Sequence, residues 1–417
     1  MTRYLQEKTL YPPLIGKRPS INLGLVVVIP AYKERYLLLS LMALKKCRLP
    51  DVVDVEVIIL INEPRGCDVD VSELNRASFE QCSDWAKIHS RPRLHFYPIY
   101  LRDLPLKYAG VGLARKIGMD EACYRLEKAG NPKGVIACFD ADSRCSPDYL
   151  QVVTQAFEAH PDWQAAGIHF EHPLSGADFP DAVYEAIVEY ELHLRYYIQA
   201  QRWAGFPFAY QTIGSSMAVR ATAYQAQGGM NRKKAGEDFY FLQKFIELGA
   251  FGEIHHTKVI PSPRPSDRVP FGTGRAVGKQ LQEQGEWLTY APESFVAIQA
   301  FFQIVPKLYQ PDLDRMVKQT AGLPAIVKDF LTDQEWPKEW ARIRQHTASA
   351  ASFEKQFYRW FNAFKLMKFL HFARESGHAE VPVSKAAAWL LQQCGRPVDD
   401  VDKRSLLAAY RRWDLGA

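Results

Sequence analysis

Two carboxylates stand two residues apart in the segment 134–148, which reads GVIACFDADSRCSPD. A short apolar run, 135–139, precedes them and has the β-branched and aromatic residues of a buried strand. At the end of such a strand, Asp140 and Asp142 point to the same side and repel each other unless a cation lies beside them. Oxygen ligands suit Mg²⁺ or Mn²⁺, which substrate phosphates often complete. The segment predicts a metal–diphosphate site; the alternative is a polar turn, where Asp is common.

A second acidic pair, Glu237 and Asp238, follows a glycine-rich, basic loop at residues 228–236. The spacing of apolar residues predicts an amphipathic helix over 238–248. Acids in the first turn of a helix complement its dipole, and this structural role is one interpretation of the pair. The other interpretation is functional, because the loop brings this helix start to a place where a substrate could sit.

The elements that must position these acids are apolar strands alternating with helices. Strands are predicted over 23–29, 55–61, 94–100 and 135–139, and later over 164–170 and 214–219, with helices over 36–45, 71–88, 109–130 and 181–203. Near-continuously apolar strands in such an order predict a mostly parallel sheet covered by helices on both faces. Ligands bind beyond the carboxyl ends of these strands. Residues 30–34, 62–63 and 140–142 all fall at such ends, so we expect them to converge.

Composition excludes several other classes of protein. The 417 residues carry a net charge of +5, which suits an anionic substrate but is too small to predict nucleic-acid binding. The odd number of cysteines, seven, without any C-x-x-C spacing, fits reduced thiols of a cytoplasmic protein. We find no signal-peptide pattern and no apolar run near the roughly 18 residues of a membrane helix. We therefore expect a cytoplasmic protein without a transmembrane segment.

Taken together, these motifs resemble family 2 glycosyltransferases of the GT-A fold. The resemblance is carried by VVVIPAYKER, GLARKIG, FDADS, GSSMAV, and GGM followed by GEDFYF, in the order and approximate spacing of that family's P-A-Y-N-E, A-R-N-x-G, D-x-D and E-D motifs. It covers about residues 22–250. It implies a Rossmann-like, mostly parallel twisted sheet, and an inverting, non-processive transfer of a hexose-like sugar from a nucleoside diphosphate, by default a UDP-sugar, to a hydroxyl of a glycan or lipid-linked acceptor.

The resemblance also implies roles for individual residues. Asp238 would be the catalytic base, with Glu237 beside it, and Asp142 would hold Mn²⁺ or Mg²⁺. Donor-binding positions, including the nucleoside pocket and the surroundings of the diphosphate, would be Pro30, Ala31, Tyr32, Glu34, Asn62, Arg115, Asp140 and Ala141. Asp140 would contribute to the metal site as well, and His255 is a further candidate ligand, although an ordinary polar strand residue is the alternative for it. Strand alternation predicts that His255 and His256 point to opposite faces, so that at most one of them would bind the metal.

Two departures from the family pattern bear on the donor. Lys33 replaces the usual Asn of P-A-Y-N-E, and the second strand ends in Asn62-Glu63-Pro64 where the family has Asp-Asp-Gly-Ser. The latter position helps to read the base, so uridine is an expectation by default. The letters of the processive motif Q-x-x-R-W occur at 199–203, but before the E-D motif and not after it, so a processive membrane synthase is not predicted.

The predicted domains are a glycosyltransferase domain, 1–285, and a helical region, 286–417, with helices predicted around 292–308, 313–332 and 352–375. Residues 22–150 would form the nucleotide-sugar half of the first domain and 151–285 its acceptor half. The segment 261–278, rich in proline, glycine and arginine, is predicted to be either a lid over the diphosphate or a solvated connector. An aromatic stripe with basic neighbours at 353–374 favours core packing, with peripheral membrane contact as the alternative.

Two rival functions stay open at this point. A sugar nucleotidyltransferase would open its first strand into a glycine-rich G-G-x-G-T-R type of loop, and none follows Ile29. A non-catalytic nucleotide-sugar-binding protein of the same fold is the second rival. Retention of Asp140, Asp142, Glu237 and Asp238 favours an enzyme, whereas the altered site at Asn62 keeps the second rival open.

Overall fold

The computed structural model describes residues 1–283, 285–309 and 312–416. It divides into two compact units, each made of two stretches of chain. The first, called here the sheet unit, comprises Met1–Phe179 and Gln211–Arg275; the second, the helical unit, comprises Pro180–Tyr210 and Ala276–Ala417.

One mixed sheet forms the centre of the sheet unit. Its strands, in chain order, are β1 (Leu23–Ala31), β2 (Asp54–Pro64), β3 (Leu94–Leu104), β4 (Val135–Cys138), β5 (Arg144–Cys145), β6 (Ala165–Phe170), β7 (Met217–Arg220) and β8 (Phe251–Ile260). Their order across the sheet is β3-β2-β1-β4-β7-β6-β8-β5. Only β5 and β7 run against the other strands described, so the predicted α/β class with a mostly parallel sheet is confirmed.

Burial explains why the central strands read as apolar runs. Every residue of β1 is buried, because β2 and β4 flank it on either edge and helices cover the sheet. A parallel strand in the middle of a covered sheet exposes neither face to water, so both faces select Val, Ile and Leu. β2 is buried along all but its terminal residues for the same reason.

Helices alternate with these strands as the sequence predicts. In the sheet unit they are α1 (Arg3–Glu7), α2 (Leu37–Lys45), α3 (Val69–His89), α4 (Val111–Lys128), α5 (Tyr149–Ala159), α7 (Ala221–Ala226) and α8 (Glu237–Ile246). The crossovers α2, α3 and α4 return the chain to parallel neighbours, and parallel pairing requires such connections. The intervening α6 (Asp181–Trp203) lies in the helical unit.

The helical unit packs α6 with the C-terminal helices, which confirms the predicted C-terminal helical region. The helices are α9 (Thr273–Glu283, which begins in the sheet unit), α10 (Pro292–Ile304), α11 (Leu313–Thr320), α12 (Ala325–Asp333), α13 (Trp336–Gln345), α14 (Ala350–Trp360), α15 (Ala363–Glu375), α16 (Val383–Gln393) and α17 (Lys403–Asp414). A short 3₁₀ turn, Val305–Leu308, follows α10, and a two-stranded ladder joins β9 (Leu288–Thr289) to β10 (Val381–Pro382).

Three long segments differ from their predicted form. The helix predicted over 313–332 is two helices, because Gly322 and Pro324 interrupt it before α12. The helix predicted over 352–375 also breaks in two, because Asn362 caps a new helix: its side chain accepts a hydrogen bond from the Lys365 amide at 3.3 Å at the start of α15. The segment 261–278 is irregular only as far as Gly272, after which α9 begins.

The boundary between the units also differs from the predicted one at residue 285. Pro180–Tyr210, predicted to belong to the acceptor half, packs with the C-terminal helices. A buried ion-pair network ties α6 to α17: Arg195 contacts Glu191 and Asp414, and Arg411 contacts Glu191 at 2.7 Å. Because these partners are far apart in sequence, no local pattern reveals the association.

The predictions about the cysteines and about membrane-spanning helices can be compared with the described residues. All seven cysteines are free thiols. Among the described residues, no helix combines the length and the apolar character needed to span a bilayer.

Candidate active site

The polar strand ends of the sheet unit meet along one edge. β1 lies between β2 and β4 in parallel register, with Ala31 opposite Ile61 and Val28 opposite Cys138. Their carboxyl ends therefore lie side by side and lead into residues 30–34, 62–63 and 140–142. The antiparallel β7 starts at the same edge, so the glycine and serines at 214–216 enter there too. The convergence expected from sequence is what the topology produces.

Arg115, on α4, links two of the predicted acidic groups. Its side chain is 4 % exposed and contacts Asp140 at 2.6 Å and Glu237 through its other terminal nitrogen. Burial opposes the charge on Arg115, but Asp140 and Glu237 outweigh it and raise the pKa of the guanidinium above its ordinary value. The pairing fixes the D-x-D segment against the start of α8, so the two acidic motifs belong to one site.

Gly214 has a steric role in this arrangement. A Cβ at this position would stand 2.3 Å from a terminal nitrogen of Arg115. Glycine is thus the residue that lets the backbone before β7 approach the guanidinium. This explains why a small-residue segment precedes β7.

Asp142 and Glu34 share two arginines from the segment before α9. Arg264 donates to Asp142 at 2.9 Å and also pairs with Glu34, while Arg268 contacts Glu34 at 3.3 Å and Asp142 at 3.6 Å. Arg268 further donates to the carbonyl of Tyr32 at 3.0 Å. The basic segment predicted as a lid or connector therefore lies over the predicted nucleoside and metal positions.

The ionisation of Asp142 reflects this crowding. Burial, followed by the nearby charges of Asp140 and Glu34, raises its pKa to about 6, although Arg264 and Arg268 act in the opposite direction. The side chain is still 22 % exposed. An additional cation would stabilise a carboxylate whose pKa is raised by its neighbours, since opposite charge favours the ionised form.

The donor set can be tested for its fit to Mn²⁺ or Mg²⁺. Asp140, with a side chain that is 39 % exposed, and Asp142 supply hard oxygen donors at an open strand end, which suits either ion. Across the described parts of the chain, no three His, Cys, Asp or Glu side chains converge on a common point where an ion could be held. The two aspartates would therefore hold an ion only together with ligands from outside the protein, such as diphosphate oxygens.

His255, the third predicted metal ligand, does not join this pair in a metal-binding cluster. It lies in a distorted part of β8, where Ile254 pairs with Ile168 but Val259 pairs with Phe170. Residues 255–258 of β8 therefore lie opposite a single residue of β6, His169. The ring centroids of His255 and His169 are 6.5 Å apart. Regular alternation, on which the opposite orientation of His255 and His256 was predicted, does not apply within such a bulge.

The second acidic pair divides into a buried and a more open member. Glu237 is 1 % exposed and is held by Arg115, whereas Asp238 is half-buried. Burial raises the pKa of Asp238, and the nearby Arg115 and the amide of Phe239, which donates to Asp238 at 2.7 Å, only partly offset it. The helix dipole favours the ionised form of an acid in the first turn, but the desolvation of Asp238 outweighs this effect. Asp238 is therefore more basic than an ordinary aspartate, and it is the more accessible member of the pair.

The predicted nucleoside side shows why Lys33 is an unusual residue at its position. Lys33 has a φ of 52°, in the left-handed region that costs energy for most side chains but less for Asn. Its amide donates to the side chain of Asn75 at 2.9 Å. The Asn of the family motif would suit this backbone, so Lys33 adopts a conformation that α3, through Asn75, helps to stabilise.

Asn62 and Glu63, at the end of β2, are both buried. Burial opposes ionisation of Glu63, but hydrogen bonds from Tyr100, Asn75, Ser72 and Arg102 outweigh it and lower its pKa. Glu63 is thus committed to a protein network. Pro30, Ala31 and Ala141 are buried beside these strand ends, and Tyr32 is half-buried.

Sequence reasoning missed the supporting residues of this site. Asn75 is 1 % exposed and lies on the buried face of α3 together with Val71, Ser78, Cys82 and Ala86. A polar residue at helical spacing within an otherwise apolar or small-residue face was the available signal. The pairing of Arg264 and Arg268 with Glu34 and Asp142 joins positions more than a hundred residues apart, and no local pattern indicates it.

No family model matches the chain, and no curated protein sequence matches it. Solved structures that resemble it include residues 1–349 of TarS from S. aureus in complex with UDP-GlcNAc, with 12% identity, a TM-score of 0.38, and coverage of 94% of this chain and 92% of that chain. Another is the mannosyltransferase PcManGT from Pyrobaculum calidifontis in complex with GDP-Man and Mn²⁺, with 13% identity, a TM-score of 0.34, and coverage of 99% and 92%. Identities and TM-scores this low do not assign a function, so the function is argued from the residues of this chain.

Proposed function

We propose that this protein is a metal-dependent, inverting glycosyltransferase that moves a sugar from a nucleoside diphosphate, by default a UDP-sugar, to a hydroxyl acceptor. The observation that carries the proposal is the Arg115 bridge between Asp140 and Glu237. It brings together, at the carboxyl edge of the sheet, an aspartate pair suited to a metal–diphosphate and a separate acid suited to a hydroxyl. This is the smallest set of groups that the reaction requires.

The leaving diphosphate needs positive charge around it. Mn²⁺ or Mg²⁺, held by Asp142 with Asp140, would neutralise charge on the diphosphate oxygens. Arg264 and Arg268 lie directly beside Asp142 and can release Glu34 and Asp142 to face phosphate oxygens. Fixed guanidinium groups stabilise charge that develops on a leaving group. In this proposal Pro30, Ala31, Tyr32 and Asn62 surround the nucleoside.

The acceptor hydroxyl must lose its proton as its oxygen attacks the anomeric carbon from the face opposite the diphosphate, which inverts that centre. Asp238 is the proposed base, because its raised pKa favours proton uptake and it is the more exposed member of its pair. Glu237, buried against Arg115, is proposed as a positioning residue that keeps α8 next to the D-x-D segment.

The proposal is tested by titrating UDP into the protein with and without Mn²⁺ in a calorimeter. We expect metal-dependent binding in the wild type and its loss in Asp142→Ala, with the melting temperature showing that the variant is folded. Metal-dependent affinity that is unchanged in the variant would remove Asp142 from the metal site.

Turnover separates the enzyme from its rivals. Nucleotide sugars would first be screened by thermal shift with Mn²⁺, because a bound donor stabilises the fold by mass action. The donors that bind would then be tested for hydrolysis and for transfer. Binding without any release of nucleoside diphosphate would favour the non-catalytic binding protein, and release of pyrophosphate from a nucleoside triphosphate with a sugar phosphate would favour a nucleotidyltransferase.

A further inference from the structure

A continuous row of aromatic rings runs along one side of α6 in the helical unit. Its members come from α6, from the segment around β9 and from α15, and each is half-buried, so each leaves part of its surface accessible. We call this row the aromatic face; it consists of Tyr190, His193, Tyr197, Trp287, Tyr290 and His371.

The rings contact one another in sequence. Tyr190 and Trp287 pack edge to face at 5.3 Å, and His193 lies between Tyr190 and Tyr197, nearly parallel to both at 6.3 Å. Tyr290 continues the row at 5.7 Å from Tyr197. Its other neighbour is the ring of His371, at 6.0 Å. Helical spacing explains the α6 members, because residues three and four apart share one side of a helix.

Polar atoms of the row are held by neighbours and fix the orientation of the rings. The imidazole Nδ1 of His193 and the hydroxyl of Thr289 are 2.8 Å apart. The hydroxyl of Tyr290 and Nε2 of His371 are 2.9 Å apart. These bonds reduce the entropy that the rings lose when a ligand packs on them.

Three members of the aromatic face, His193, Tyr197 and Tyr290, are uncharged at neutral pH. Burial lowers the pKa of His193 to about 4, and burial raises the pKa values of Tyr197 and Tyr290 above the ordinary range of tyrosine. These three rings themselves carry no charge that could pair with a phosphate or a carboxylate.

We propose that the aromatic face binds a neutral carbohydrate, whose rings stack on the aromatic side chains. Sugars have apolar C–H faces and polar hydroxyl edges, and Tyr, Trp and His offer the matching combination of a flat apolar surface and a polar rim. This carbohydrate site is proposed independently of the transferase reaction. It concerns residues of the helical unit alone, none of which takes part in the proposed donor chemistry.

The first test uses the full chain and direct binding, with no donor present. Cellotetraose, maltotetraose and chitotetraose serve as uncharged probes in calorimetric titrations. We expect at least one to bind the wild type, and Tyr190→Ala and Trp287→Ala each to weaken that binding by about fivefold or more. Trp389→Ala is the matched control, because Trp389 is also half-buried and packs edge to face on Trp203 at 5.1 Å outside the row.

Hydroxyl-radical footprinting of the wild type provides a measurement that does not depend on folded variants. The bound probe should protect Tyr190 and Trp287 from oxidation and leave Trp389 unchanged. If none of the three probes binds, if a probe binds without protecting these residues, or if the Trp389 variant loses as much affinity as the others, the proposal is overturned.

Activity then separates this site from the transferase proposal. With a donor identified, Tyr190→Ala should weaken oligosaccharide binding and leave donor hydrolysis by water unchanged. Oligosaccharide binding in a protein that hydrolyses no nucleotide sugar would refute the transferase proposal but not the carbohydrate site. Donor hydrolysis without oligosaccharide binding would refute the carbohydrate site alone.

Discussion

The ionised side chain of Asp142 lowers the stability of the folded protein at neutral pH. Its carboxyl has a pKa of about 6 in the folded protein, against about 3.9 for an aspartate in an unfolded chain. The folded state thus holds the proton more tightly, so this group reduces stability as the pH rises from about 4 to 6, and the full cost is present at pH 7.

Asp142→Asn should therefore stabilise the metal-free protein at neutral pH. The difference in pKa corresponds to at most about 3 kcal/mol at pH 7, and Arg264 and Arg268 keep Glu34 as a partner in the variant. Urea unfolding at pH 7 and pH 4 measures the effect, with the gap between variant and wild type expected to close at the lower pH. A variant that is less stable than the wild type at pH 7 would contradict the proposed repulsion.

Asp238→Asn should keep donor affinity and lose transfer. Asparagine preserves the size of the side chain but cannot accept the acceptor's proton, and loss of a general base typically costs about 10²–10⁴ in rate. Loss of an acid's interaction with the helix dipole costs only about 0.3–1 kcal/mol of stability. Turnover, UDP affinity with Mn²⁺ and the melting temperature together separate the two roles.

A matched control for that variant lies in the helical unit. Asp314 is an exposed acid in the first turn of α11, so Asp314→Asn removes the same kind of dipole interaction without touching the site. Near-wild-type transfer by Asp238→Asn would show that Asp238 only starts a helix.

The segment 261–272 is the element whose behaviour bears most on the mechanism. Ion pairs of Arg264 and Arg268 hold it against Glu34 and Asp142. If it is a lid, UDP with Mn²⁺ should add phosphate contacts and slow trypsin cleavage after Arg268, which is followed by valine and is cleavable. Cleavage within the helical unit is the internal control. Equal rates at Arg268 with and without ligand would identify the segment as a plain connector.

Elements with strong local patterns could be predicted from the sequence, and those set by distant contacts could not. The all-buried β1 follows from its continuous apolar run, and the long α6 has the predicted bounds. The bulge of β8 opposite His169 depends on pairing with β6, so regular alternation along the sequence does not predict the orientation of His255. The strand ends at Asp140 and Asn62 were predictable because parallel topology alone brings them to one edge.

At the scale of the molecule, the two units do not correspond to two consecutive stretches of sequence. The chain leaves the sheet unit after Phe179, returns at Gln211 and leaves again after Arg275. The predicted division at residue 285 followed the change from alternating elements to consecutive helices. That change marks where the strands of the main sheet end, but it does not show which unit α6 joins.

The association of α6 with the C-terminal helices predicts the outcome of a truncation at that division. A fragment of residues 1–285 keeps α6 but removes α10, α16 and α17, and with them the partners of Glu191 and Arg195 in α17. The residues of α6 that are buried in the intact chain include Ile187, Leu192 and Tyr196. Exposing such side chains costs about 1.5–3 kcal/mol each, and stranding buried charges adds to this cost.

We therefore expect the 1–285 fragment to aggregate or to bind a hydrophobic dye, and not to unfold in one sharp transition. A second fragment, in which a short flexible linker also replaces residues 180–210, lacks the helical unit except for residues 276–285 and should be more soluble than the first. Expression yield, dye binding and thermal unfolding of the two fragments make the comparison. A 1–285 fragment that is soluble and unfolds cooperatively would show that α6 does not need the C-terminal helices, and the domain boundary would then lie where the sequence suggested it.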